Sequence, residues 1–135
     1  MTTRRNFLKG SAAVAAGMAV SGAGRVFAGS GFPAGIIYTR KNPGRWAKKV
    51  GSHVPKVSVK GRQVTILTAH PMSAQHYIVR HTLVAADGRV LGEKTFYPTD
   101  RQAMSTYKLP ADAGKNFYAT SFCNKHDFWL TEFSV

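Results

Sequence analysis

Val57-Ser58-Val59-Lys60-Gly61-Arg62-Gln63-Val64-Thr65-Ile66 alternates apolar and polar residues on both sides of a glycine turn. Successive side chains of an extended chain point to opposite faces, so Val57 and Val59 fall on one face and Ser58 and Lys60 on the other. Gly61-Arg62 makes the turn, and Val64 and Ile66 resume the alternation around Thr65. The texture continues downstream. Tyr77 to Ala85 reads as a longer strand closed by Asp87-Gly88, and Val90 to Phe96 and Thr106 to Leu109 read as weaker ones. Pro110-Ala111-Asp112-Ala113-Gly114 is a turn; Asn116 to Phe122 and Phe128 to Val135 are the last two strands, joined by a loop from Cys123 to Asp127. Upstream, Gly29 to Gly44 is an extended lead-in rich in Gly, Pro and basic residues, with a short strand at Ile36-Ile37-Tyr38. Arg45-Trp46-Ala47-Lys48-Lys49 forms a helical turn with Trp46 as a plug over the core. About seven short strands with almost no helical periodicity predict an all-β fold, one immunoglobulin-like antiparallel β-sandwich without internal repeat or second domain.

The first residues stand apart from this pattern. Thr3-Arg4-Arg5-Asn6-Phe7-Leu8-Lys9 matches the twin-arginine export signal, a mild apolar run from Ala12 to Val20 follows, and Val26-Phe27-Ala28 offers the cleavage point. That run is too short and too broken by glycine to span a bilayer, which needs ~20 apolar residues. The expected division is a signal peptide, 1–28, and a mature domain, 29–135. The expected route is passage in the folded state through the twin-arginine translocase to the periplasm. Removal of the signal leaves 107 of the 135 residues, one small domain. Such a domain buries only about two-thirds of its unfolded surface and gains from any cross-link its side chains can supply.

The signal carries four of the 19 Lys and Arg (Arg4, Arg5, Lys9, Arg25) and none of the six acidic residues. The mature domain therefore keeps 15 cations against six anions, a net charge of +9. That balance implies an anionic partner. The periplasmic address and the lack of a basic-aromatic motif argue against nucleic acid. A small anion drawn in by the field fits better, with plain solubilising charge left open beside it. The single cysteine, Cys123, cannot close an intrachain disulfide in an oxidising compartment. It is buried and inert, paired with another chain, or bound to a metal.

The histidines tilt that choice. Cys123 and His126 have the C-x-x-H spacing that lets a thiolate and an imidazole of one tight loop hold the same ion. His70 and His76 bracket Pro-Met-Ser-Ala-Gln, a compact loop able to turn both rings toward one point, and His53 precedes Val54-Pro55, where proline favours extended backbone. These four histidines lie at loops or strand starts, where a rigid sheet presents side chains. His81 lies mid-strand with no motif around it and is excluded. Zinc prefers four ligands, and structural zinc usually takes more than one cysteine. Four imidazoles and one thiolate would leave one octahedral position open, which points to a mononuclear iron. A thiolate opposite that position pushes electron density through the metal.

His53-Val54-Pro55, His70-Pro71-Met72 with His76-Tyr77-Ile78, and Cys123-Asn124-Lys125-His126-Asp127-Phe128-Trp129 together resemble superoxide reductase, the neelaredoxin and desulfoferrodoxin iron-binding family. The likeness runs in order from about Trp46 to Val135, and without a four-cysteine N-terminal iron domain it is to the one-iron class. The resemblance implies one non-haem iron per chain, with His53, His70, His76 and His126 as equatorial ligands and Cys123 as the axial one. It implies reduction of superoxide anion to hydrogen peroxide, with the ferrous state restored by a small redox protein such as a rubredoxin-like donor. It also implies that Asn124 orients the loop and that backbone N–H groups directed at the sulfur tune the potential. A homo-oligomer stays open.

Two departures from the family pattern stand out. The family commonly has Glu-Lys immediately before the first histidine, where this chain has Gly51 and Ser52, and Asp127 stands where glycine is common. Lys125, Lys48 and Lys49 are the candidates to supply the missing cation. The leading expectation is a periplasmic superoxide reductase. The alternative is a non-catalytic iron-binding or electron-carrier domain that has lost the Glu-Lys pair. A third class, a sulfur-carrier module, needs a cysteine on a flexible tail, whereas Cys123 lies 12 residues from the C-terminus between strands.

Overall fold

A computed structural model describes residues 32, 33 and 35–135; the signal peptide expected at 1–28 lies outside the described residues. Two sheets are formed by strands β1 (Ile37–Tyr38), β2 (Lys56–Lys60), β3 (Gln63–Thr68), β4 (Ile78–Ala85), β5 (Val90–Thr95), β6 (Ala103–Lys108), β7 (Asn116–Cys123) and β8 (Asp127–Ser134). One sheet has the order β1-β8-β7-β4-β5, the other β2-β3-β6. The quoted hairpin is β2 and β3, paired antiparallel from Lys56↔Leu67 to Lys60↔Gln63 around Gly61, whose φ of 61° suits a glycine. The fold is the expected β-sandwich, with seven full strands and the short β1. That strand pairs parallel to β8 in otherwise antiparallel sheets.

The inward residues of the alternating strands make the main core: Val64, Ile66, Leu83, Ala85, Phe117 and Ala119 meet between the sheets. A second cluster, Ile78, Phe96, Ala103 and Cys123, and a third, Tyr38, Val54 and Trp129, lie toward one end. The expected helical turn is a 3-10 turn, Gly44–Lys49, followed by the one-turn helix α1, Val50–His53. Trp46 and Val50 pack against the third cluster, which gives Trp46 its plug role. The sixth strand starts earlier than its sequence suggests. Ala103 and Ser105 are both buried, but neither has the bulk that marks an inward strand position.

Topology decides where function can sit. His53 ends α1 just before β2, His70 follows β3, His76 precedes β4, Cys123 closes β7 and His126 stands just before β8. All five positions fall at the same end of the sandwich. The excluded histidine is different in kind. His81 is fully buried, with Nε2 on Thr68 Oγ1 and Nδ1 on Ser105 Oγ, both at 2.8 Å, and Thr68 Oγ1 is in turn 2.8 Å from Ser121 Oγ. Both of its nitrogens are satisfied inside the core.

Two outcomes follow for stability. A Cβ on Gly92 would lie 2.4 Å from the Tyr107 ring, so Gly92→Ala is expected to cost ~1–3 kcal/mol in urea unfolding; an unchanged midpoint would show that the ring yields freely. Burial pushes the His81 imidazole down to about 3, so below its ordinary 6.5 the unfolded chain takes up a proton that the folded chain refuses. Stability is then fully present above pH 6.5 and falls as the pH drops toward about 3. His81→Gln should remove up to ~1.4 kcal/mol per pH unit of that slope, measured on the metal-free protein; an unaltered slope would contradict it.

Candidate metal centre

The short helix α1 delivers His53 because its last turn closes Val54 N–H onto Val50 O at 3.0 Å, after which Val54 becomes extended ahead of Pro55. The His53 ring is 1% exposed. Its Nδ1 lies 3.1 Å from Lys49 O and 2.8 Å from Ser52 Oγ, partners that select the tautomer with the proton on Nδ1. That leaves Nε2 bare, buried and without any hydrogen-bond partner among the described residues. An orphaned buried acceptor costs ~1–3 kcal/mol unless something takes its lone pair.

The other donors surround that atom. The His70 Nδ1–H donates to Pro71 O, so its Nε2 is also bare, 3.0 Å from His76 Nε2. The Ser73 hydroxyl and N–H close the loop by donating to His76 O at 3.0 and 3.1 Å. His126 Nδ1 lies 2.9 Å from His76 Nε2 and 3.7 Å from Cys123 Sγ. Around the quartet, neighbouring ring centroids are 4.6 Å (His53–His70), 4.3 Å (His70–His76), 4.7 Å (His76–His126) and 4.8 Å (His126–His53). The His53–His76 diagonal is 5.9 Å, with the two rings only 26° from parallel. The four rings therefore outline a square. Donor atoms of His53, His70, His76 and Cys123 all lie within 4.8 Å of one another.

Such a set fits one metal ion. Separations of 2.9 and 3.0 Å match adjacent nitrogens around an ion with metal–imidazole bonds of about 2.1 Å. His53, His70 and His76 present Nε2, whereas His126 presents Nδ1. Its place three residues from Cys123, in the three-residue turn between β7 and β8, explains the difference: the nearer nitrogen is the one that reaches.

Electrostatics favours the ligand forms. Burial, with the neighbouring imidazoles, lowers His53 to about 4. Burial is also the first cause that lowers His70, His76 and His126, with the positive charge of Lys49 acting on all three. Lys125 adds to the effect on His76 and His126. The quartet is neutral at pH 7, as metal binding requires. Burial pushes the Cys123 thiol up, opposed by the N–H groups of Lys125 and His126 aimed at the sulfur. A bound cation would complete its ionisation.

Lys49 is half-buried and Lys125 exposed, and both charges reach the rings. Lys48 is exposed. Gly51 is open to solvent, and a Cβ built there meets nothing within 4 Å. Cys123 proves to be the last residue of β7 rather than part of a five-residue loop. Sequence reasoning marked Ser52 only as a departure from the family pattern and passed over Ser73, yet these two hydroxyls hold His53 and the loop of His76; a small hydroxyl residue carries no signal of such a role.

The loops are tied to each other. Asn124 Oδ1 accepts from Tyr77 N–H and its Nδ2 donates to Gln75 O, both at 3.0 Å, so one side chain grips the backbone on either side of His76. Asp127, with φ 68°, is the one non-glycine residue of positive φ among those described. Its Oδ2 accepts from Trp46 Nε1–H and from Arg45 Nη2, each at 2.8 Å, and these two donors hold its carboxyl below the usual carboxylate range.

Residues 45–132 match the family model of desulfoferrodoxin. The chain belongs to that family. Among solved structures, the superoxide reductase (neelaredoxin) from Ignicoccus hospitalis is 29% identical with a TM-score of 0.62, the match covering 73% of this chain and 93% of that one. The superoxide reductase from Treponema pallidum is also 29% identical, at a TM-score of 0.50 over 60% of this chain and 66% of that one. The one-iron superoxide reductase from Giardia intestinalis shares the fold at 22% identity and a TM-score of 0.57, over 62% of this chain and 98% of that one. Comparison with curated proteins gives no match. Residues 1–21 match the twin-arginine translocation pathway signal sequence. No described helix is long and apolar enough to cross a membrane.

The grip of Asn124 on both sides of His76 predicts that Asn124→Ala weakens metal retention roughly 10- to 100-fold against a chelator. Retention equal to the parent protein would show that the loop holds its shape without that side chain.

Proposed function

We propose that this chain is a periplasmic superoxide reductase with one non-haem iron held by His53, His70, His76, His126 and Cys123. The observation that carries this reading is the bare, buried His53 Nε2 inside a square of imidazoles beside a lone thiol, in a chain of the desulfoferrodoxin family. A ferrous ion held by these residues would supply the one electron that, with two protons, turns superoxide into hydrogen peroxide. The surrounding residues bring the anion in. Lys49 and Lys125 bring positive charge near enough to act on the rings, and the net +9 of residues 29–135 adds a wider field. The N–H groups aimed at Cys123 Sγ stabilise a thiolate and so set how readily the electron leaves. A small acidic redox protein of the rubredoxin type suits the positive surface as electron donor. Export as a folded domain after cleavage at Ala28 accords with the twin-arginine signal.

A second reading is favoured by one observation. Gly51 and Ser52 leave neither a carboxylate nor an ammonium immediately before His53, so the domain could carry electrons or iron without reducing superoxide.

Pulse radiolysis of the reduced, iron-quantified protein separates the two. The reductase reading predicts oxidation at a second-order rate near the diffusional ceiling of ~10⁸–10⁹ M⁻¹s⁻¹. Lys49→Ala or Lys125→Ala should slow it roughly threefold or more at low salt, a loss that shrinks as salt rises; Lys48→Ala should slow it less. Iron present without fast oxidation would leave the carrier reading, and absence of iron would sink both.

A further inference from the structure

We propose that Asp127 is a positioning residue for the metal centre, acting through Trp46 on His126 and on the segment that carries His53. It rests on the metal reading above. Three observations meet at this side chain.

The first is conformational. Asp127 opens β8 at φ 68°, a left-handed backbone that a residue with a Cβ adopts at a cost of ~1–2 kcal/mol. Glycine would adopt it freely.

The second is what the strained position achieves. Oδ2 receives the Trp46 indole N–H and an Arg45 N–H at 2.8 Å each, 81 and 82 residues away in sequence. The Arg45 guanidinium in turn lies 4.6 Å over the Trp46 ring. The carboxylate, the indole and the guanidinium therefore form one closed unit across the rim.

The third is what that unit touches. The Trp46 ring stands edge-on to His126, with centroids 4.7 Å apart and planes at 85°. His126 in turn lies against Cys123, with Nδ1 3.7 Å from Sγ. On its other side, Trp46 lies in the turn that leads directly into α1 and His53. No capping side chain holds either of these short helical elements. The Asp127–Trp46 bond is thus a polar tie from the turn before His53 to the β7–β8 junction, where Cys123 ends one strand and His126 precedes the next. A tie at this place limits how far the two can separate.

The backbone strain makes this testable. Asp127→Gly removes the carboxylate and relieves the left-handed position, so global stability should change little. If the carboxylate positions the ligands, release of cobalt(II) from the loaded protein to a chelator should still rise roughly 10- to 100-fold, and the sulfur-to-metal absorption band should shift. Asp127→Asn keeps an acceptor for the indole and should recover most of both readouts. Trp46→Phe, which keeps a ring and loses the N–H, should weaken retention in the same direction, and adding Asp127→Gly to it should bring little more. Retention and band unchanged in Asp127→Gly, or fully additive losses in the double variant, would overturn the proposal. Parent protein that binds no cobalt(II) would instead defeat the metal reading itself.

Discussion

The bare Nε2 of His53 lies buried against three other imidazoles, and the end of the sandwich is arranged so that it stays there. Neutral imidazoles with lone pairs turned inward gain nothing from one another, and the buried pair, His53 and His70, has lost its water. Left alone, such a cluster would open toward solvent or rotate its rings. What holds it is the surrounding structure: strand ends that converge at one pole, backbone carbonyls of Lys49 and Pro71 that take the outer N–H of His53 and His70, and hydrogen bonds that join loops far apart in sequence. The arrangement opposes local stability and favours a bound cation, the usual signature of a site maintained for function.

The contrast with His81 makes the point inside one molecule. Both His81 and His53 are almost completely buried, and burial keeps both neutral. His81 has a hydroxyl on each nitrogen and simply joins the two sheets. His53 has partners on one nitrogen only. Burial alone does not distinguish a structural histidine from a ligand; the count of satisfied nitrogens does.

Much of this was legible before any coordinates. The hairpin around Gly61 announces its strands because Val, Ser, Lys, Thr and Ile sort cleanly by side. His81 could be set aside because it sits in mid-strand, and the ligand candidates could be chosen because they flank strands. The start of β6 was hidden, since Ala103 and Ser105 mark no face by bulk. The role of Asp127 was hidden for a different reason. Sequence shows an acid where the family commonly has glycine, but only the fold brings an indole and a guanidinium from 81 and 82 residues away onto its carboxylate. Local patterns report faces and turns; contacts between distant loops depend on the completed sandwich.

The central claim is that five side chains converge on one ion, and the most direct measurement is X-ray absorption at the metal edge of the iron-loaded protein, with iron and protein quantified together. The account predicts one iron per chain with a shell of four nitrogens at imidazole distances and a single sulfur. A shell built mainly of oxygen, one without sulfur, or one with two sulfurs from paired chains would contradict it.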